Sequence, residues 1–172
     1  MKNFSTWTAY CEEWLISTGQ IRNPACGEVL VAPLEFAVLE TNEFANDDDL
    51  DIHDVSGTLF RRDGRVLLSV GNSTFVREAP PPSLVKMASQ ASQKFVGRIS
   101  LGVSPYGDEI AAVPSLANLA SFRWTVERII LRRNLEPDVP DSEQWGAAED
   151  IDVANRRTVG AFDRCWLQLT EA

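Results

Sequence analysis

The chain has 172 residues, 44% of them apolar and 24% charged, with a formal net charge of −9. That is enough for one domain with its own core, and too apolar for wholesale disorder. No apolar run approaches the roughly 18 residues of a membrane span, and an excess of acid weighs against binding a nucleic acid backbone.

Cys11, Cys26 and Cys165 are widely spaced with no CxxC, so neither a disulfide framework nor a zinc site is expected. The first fourteen residues, "MKNFSTWTAYCEEW", carry one Lys and no apolar h-region, so no secretory leader is expected either. The expected compartment is a reducing cytoplasm. Charge is unevenly spread: 2 basic and 11 acidic residues up to position 60, 11 and 5 from 61 to 133, and 3 and 9 from 134 on. A basic middle is framed by two acidic flanks, which favours solubility and basic partners.

In chain order, "FSTWTAYCEEWLISTGQ" predicts a helix with Ser5 as its cap. Trp7, Tyr10, Cys11, Trp14 and Leu15 share one face, and Gly19 falls just past the end. Cys11 lies in that apolar stripe and reads as an inert core thiol. "GEVLVAPLEFAVLE" predicts a strand interrupted at Pro33.

The acidic stretch "NEFANDDDLDIHDVSG" follows, with Asp47, Asp48, Asp49, Asp51, Asp54 and the only histidine, His53. If it is extended, Asp49, Asp51 and His53 share one side and could hold a divalent ion. A calcium loop starting at Asp47 fails, because its sixth position is Ile52 and its twelfth is Thr58. No metal, cofactor or catalytic residue is therefore assigned. The acids instead read as a surface that steers a basic partner or that blocks edge-to-edge aggregation.

"VSGTLFRRDGRVLLSVGNSTFVRE" carries two hairpin turns, Asp63-Gly64 and Gly71-Asn72. They predict a three-stranded meander near 57–62, 65–70 and 73–78. Its register sets Leu59 opposite Leu68 opposite Phe75, and Phe60 opposite Leu67 opposite Val76. The first row points to the core. The second is a small apolar patch in a polar rim, which either lies under a helix or meets a partner, and it is assigned here to partner binding.

A helix from Ser83 to about Phe95 is expected next. "VGRISLGVSPYGDEIAAVP" then predicts a second hairpin, with Pro105–Asp108 as turn and Glu109–Val113 as return strand. "SLANLASFRWTVERIILRRN" predicts a long helix with Leu119, Phe122, Val126, Ile129 and Ile130 on its apolar stripe. Residues 135–148 read as a linker. A last helix over 149–169 carries Ile151, Ala154, Thr158, Phe162, Cys165, Trp166 and Leu169 on one face.

The fold class that results is α+β. The meander and the hairpin form an antiparallel sheet packed against the N-terminal helix and the C-terminal helices. Residues 1–134 make one domain, and 149–172 dock on it or on a second subunit.

The order "STWTAYCEEWLISTG", "GTLFRRDGRVLLSVGNSTFVRE", "PPSLVKMASQASQKF", "GRISLGVSPYGDEIAAV", "SLANLASFRWTVERIILRR" resembles the class I type III secretion chaperones and the related YbjN-like domains. The resemblance implies a small, acidic, cytoplasmic homodimer without enzymatic activity that holds an extended segment of a client protein. On that reading the partner is a secreted effector or a toxin, with no nucleic acid and no membrane. Asp47, Asp48, Asp49, Asp51, Asp54, Phe60, Leu67 and Val76 are the partner-binding residues assigned from the sequence. Two other functions fit the composition. One is an acidic inhibitor, such as a toxin-immunity or anti-defence protein. The other is a metalloprotein or hydrolase centred on His53.

Overall fold

Asp63 and Gly64 take positive φ angles of 49° and 78°, and Gly71 takes 61°, as their two tight turns require. The strands that these turns join follow the register expected of them. In this computed structural model, which describes residues 5–40, 49–77, 92–140, 142 and 144–172, Leu59 pairs with Leu68 and Leu68 with Phe75. Phe60 pairs with Leu67, and Leu67 with Val76.

The meander belongs to a different fold from the one expected. The chain is mainly β, with ten strands and three short helices among the described residues. The strands are β1 (Thr6–Tyr10), β2 (Val29–Val31), β3 (Leu34–Leu39), β4 (Ile52–Arg62), β5 (Arg65–Val70), β6 (Ser73–Arg77), β7 (Gln93–Val103), β8 (Arg123–Arg132), β9 (Glu149–Ile151) and β10 (Arg164–Glu171). The helices are α1 (Glu13–Ser17), α2 (Gly107–Ala111) and α3 (Pro114–Ala117).

Five strands close into a barrel in the order β7, β3, β6, β5, β4 and back to β7. Closure depends on β4, whose first part pairs with β7 from Ile52 to Leu59 and whose last part pairs with β5 from Thr58 to Arg62. Gly57 sits where β4 coils from one neighbour towards the other. A Cβ there would lie 2.2 Å from Ser69 O, so only glycine fits. Where β4 leaves the edge of β7, β1 takes it over in parallel at Gly102. The sheet then continues through β10 and β8 to β2, with β9 beside β2 on the outer edge.

One buried cluster fills the barrel and runs on under the second half of the sheet. It joins Leu34, Phe36, Leu59, Leu68, Phe75 and Ile99 to Trp7, Trp124, Leu131 and Leu167. Trp7 bridges the halves, with its ring edge on Phe75 at 4.9 Å and its Nε1–H donated to Ser73 Oγ at 3.0 Å.

This closed barrel overturns the α+β class and, with it, the resemblance to the secretion chaperones and YbjN-like domains, which needs long helices on an open sheet. Each misread helix has a local cause. Along and just past β1, Trp7, Ala9 and Cys11 are buried in strict alternation, and Trp7 and Cys11 also fit a helical stripe with Trp14 and Leu15. Only Glu13–Ser17 is helical, and Gly19 ends it at φ 74°. Residues 109–113, expected as a strand, lie in and just after α2.

The expected long helix over 115–133 is α3 followed by β8. In β8 the pairing with β10 skips Glu127, since Leu169 faces Val126 and Gln168 faces Arg128. That bulge moves the buried row from Trp124 and Val126 to Ile129 and Leu131. The resulting three-residue step imitates a helical period.

The expected terminal helix is β9, an irregular turn and β10. Cys165, Leu167 and Leu169 point into the core, and Trp166 on the other face is buried against Asp51 and Tyr10. The described part of the expected linker folds back, with Leu135 N bonded to Gln144 O and Gly146 N to Arg133 O, both at 2.9 Å. The helix expected from Ser83 lies largely outside the described residues, and Gln93–Phe95 belong to β7.

Candidate functional site

The acidic stretch enters the barrel at Asp51, whose carbonyl accepts from Leu101 N at 3.0 Å. This one backbone bond sets the start of β4 against β7. The side chains on either side of it are then committed one by one. Asp51 Oδ1 accepts from Trp166 Nε1 at 2.8 Å, and Asp49 Oδ1 accepts from Arg164 Nη1 at 3.0 Å. Both partners stand on β10. The Arg164 guanidinium also lies 4.5 Å over the Trp145 ring, so one cation is held between a carboxylate and an aromatic face. Asp54 pairs with Arg98 at 3.1 Å in an exposed ladder position, where such pairs contribute ~0–1 kcal/mol. Asp47 and Asp48 lie outside the described residues.

His53 faces the other way. It pairs with Ile99 in the ladder, and its ring stands edge-on to Trp7 at 5.3 Å. Its Nε2 is 2.8 Å from Thr8 O and donates to it when protonated there. The lone histidine thus ties the barrel to β1. Asp49, Asp51 and His53 therefore go to three separate partners, and among the described residues no three His, Cys, Asp or Glu side chains gather to hold a metal ion.

Leu67 and Val76 are not on the surface, and Phe60 is half-buried against the same cluster. Leu67 is fully buried and Val76 is 1% exposed, beneath Ile110, Leu116 and Ala120 of the segment that carries α2 and α3. The patch assigned to a partner is covered from within the chain. An ion pair from Arg65 to Glu109 at 3.7 Å and a hydrogen bond from Ser115 to Asp63 help to hold the cover down.

What the acids do border is a groove. A cavity of about 460 Å³ runs between β1, β3 and β7, with Tyr10, Glu35, Asp51, Arg77 and Tyr106 among its walls. A second, of about 240 Å³, lies beyond Asp51 and is lined by Tyr10, Asp49, Asp51, Arg164 and Trp166. Tyr10 and Asp51 are common to both, so the two cavities adjoin at these side chains. Burial, and then the charge of Glu12, push the Tyr10 hydroxyl up to about 12, against the opposing pull of Arg164. Tyr10 is therefore a neutral hydrogen-bond donor at any physiological pH. A wider hollow of about 880 Å³ opens between Leu39, Val55 and Phe95, with Glu40, Asp54 and Arg98 among its walls.

Of the groove residues, sequence reasoning singled out Asp49 and Asp51. It missed Tyr10, Glu35, Tyr106, Trp145, Arg164 and Trp166. Reading β1 and β10 as strands would have placed Tyr10 and Trp166 on one face, since they are directly paired.

No protein-family model, no curated protein and no solved structure matches the chain. No helix among the described residues is long and apolar enough to cross a membrane.

Proposed function

We propose that the chain is a non-catalytic protein-binding module that takes a basic segment of a partner protein into the groove at Asp51. The observation that carries this reading is Arg164. The groove wall already holds a guanidinium between the Asp49 carboxylate and the Trp145 ring. The neighbouring cavity sets Glu35 and Asp51 beside the rings of Tyr10 and Tyr106, with Arg77 also in its wall. Carboxylates beside aromatic rings are the usual chemistry for an incoming Arg or Lys. The net charge of −9 would speed its approach. Engagement of His53 with Thr8 favours binding over proton transfer. The groove is built within one chain, so a second copy is not required. An inhibitor of a basic toxin is the partner class this reading favours over a chaperone client, because recognition rests on charge rather than on an apolar cradle.

The test is fluorescence anisotropy with a labelled oligo-arginine peptide at physiological salt. Glu35→Gln should weaken binding about tenfold, the worth of one charge-assisted hydrogen bond. Asp108→Asn, which removes the same charge from an exposed site outside the groove, should leave binding unchanged. Equal losses from the two variants would mean bulk charge alone and would overturn the proposal.

A further inference from the structure

Two of the three cysteines face each other. The β1–β10 ladder sets Tyr10 opposite Trp166, and one step further Cys11 N donates to Cys165 O at 2.8 Å. Directly opposed, hydrogen-bonded residues of an antiparallel pair have Cα atoms about 5.5 Å apart. That lies within the roughly 4.4–6.8 Å that a disulfide spans, and the Cβ atoms, about 5.5 Å apart in such a pair, need to close by about 1 Å at the end of β1. The side chains also point the same way. Cys11 continues the inward row of Trp7 and Ala9, and Cys165 that of Leu169 and Leu167, and each cysteine is 1% exposed. Cys26 stands apart on the surface, near Ile151 O.

We propose that Cys11 and Cys165 form a disulfide that staples β1 to β10 when the chain folds in the presence of a low-molecular-weight disulfide. In the first exchange the Cys11 thiol gives its proton to solvent. The thiolate attacks one sulfur of the small disulfide, whose S–S bond breaks, and the expelled thiolate takes up a proton. In the second exchange the Cys165 thiolate attacks the Cys11 sulfur and expels the remaining small thiol. Two protein thiols are oxidised, and one small disulfide is reduced to two thiols.

The timing follows from the surroundings. In the folded chain, burial holds both thiols in the protonated, unreactive form, Cys165 up to about 12 and Cys11 well above its ordinary value. Exchange therefore belongs to folding, or to opening of the end of β1. Once formed, the bond is shielded from reductant by the same burial.

The experiment uses the full chain carrying Cys26→Ser, refolded from denaturant with oxidised or with reduced glutathione, then unfolded and alkylated. The expected result is no alkyl group in the oxidised arm and two in the reduced arm, with a Cys11–Cys165 linked peptide in the mass spectrum. The oxidised protein should also melt at least about 5 °C higher, a rise that Cys165→Ala abolishes. Two alkyl groups in both arms, a glutathione adduct that persists on either cysteine, or a bonded chain that melts lower than the reduced one would each overturn the proposal.

Discussion

Gly57→Ala should be among the most damaging single-methyl additions to this chain. The new Cβ would sit 2.2 Å from Ser69 O and 2.9 Å from Val70 Cγ2. An ordinary contact needs about 3.4 Å or more, so β4 and β5 must separate by roughly 1 Å. They cannot do so freely, because Ser69 is paired with Thr58 on one side and Thr74 on the other inside a closed barrel. Overpacking of this kind costs ~3 kcal/mol, offset by ~0.5 kcal/mol from the stiffer unfolded chain. The net loss of ~2–3 kcal/mol corresponds to a fall of about 5–10 °C in melting temperature for a chain of this length. Gly102→Ala is the matched control, since its Cβ would meet nothing nearer than Tyr10 O at 3.7 Å. Its cost should stay within ~0.5 kcal/mol. Gly97→Ala should fall between, because its obstacle is the Phe95 ring at 2.9 Å, which can swing. Urea unfolding of the three variants gives the order directly. Equal midpoints for Gly57→Ala and Gly102→Ala would refute the crossing of β4 between its two neighbours, and with it the barrel.

Leu67→Ala should cost ~2–4 kcal/mol in urea unfolding, since Leu67 is fully buried under α2 and α3; a surface patch would lose almost nothing. His53→Ala removes a hydrogen bond and a ring contact from β1, and should cost ~1–2 kcal/mol. Absorbance titration should find one tyrosine ionising near pH 12 that Tyr10→Phe removes. The reduced protein should also weaken in alkali. Tyr10 and Cys165 are raised from 10.0 and 9.0 to about 12, so the folded chain keeps protons that the unfolded chain gives up. Their stabilising effect is complete below pH 9 and lost as pH rises from 9 to 12, which melting curves across that range would register.

The meander was legible because its information is local. Two Gly-containing turns fix three strands, and each strand alternates cleanly enough to set Leu59 against Leu68 and Phe75. Elsewhere the local pattern misled. In β8 the bulge at Glu127 turned a two-residue period into a three-residue one. In β10 the row Cys165, Leu167 and Leu169 points inward, but Trp166 on the other face lies under Asp51 and Tyr10, so three residues in succession are buried and the alternation is masked. Barrel closure is set by β4 on β7 and by β3 on β6, and pairings of that kind leave no mark on a short window of sequence. The groove was half legible for the same reason. The acids at 49 and 51 stood out, but the Arg164 and Trp166 that fix them lie 115 positions further on.

Placing β1 beside β10 also sets a schedule for synthesis. The two strands are roughly 160 positions apart in the chain, a separation that makes their pairing slow. On the ribosome every strand of the barrel has emerged once residue 103 is out, and closure can begin. Thr6–Tyr10 must then wait, with one backbone edge unpaired, until the last strand arrives. A pause in translation before residue 164 would prolong that exposure, whereas one after residue 171 would not.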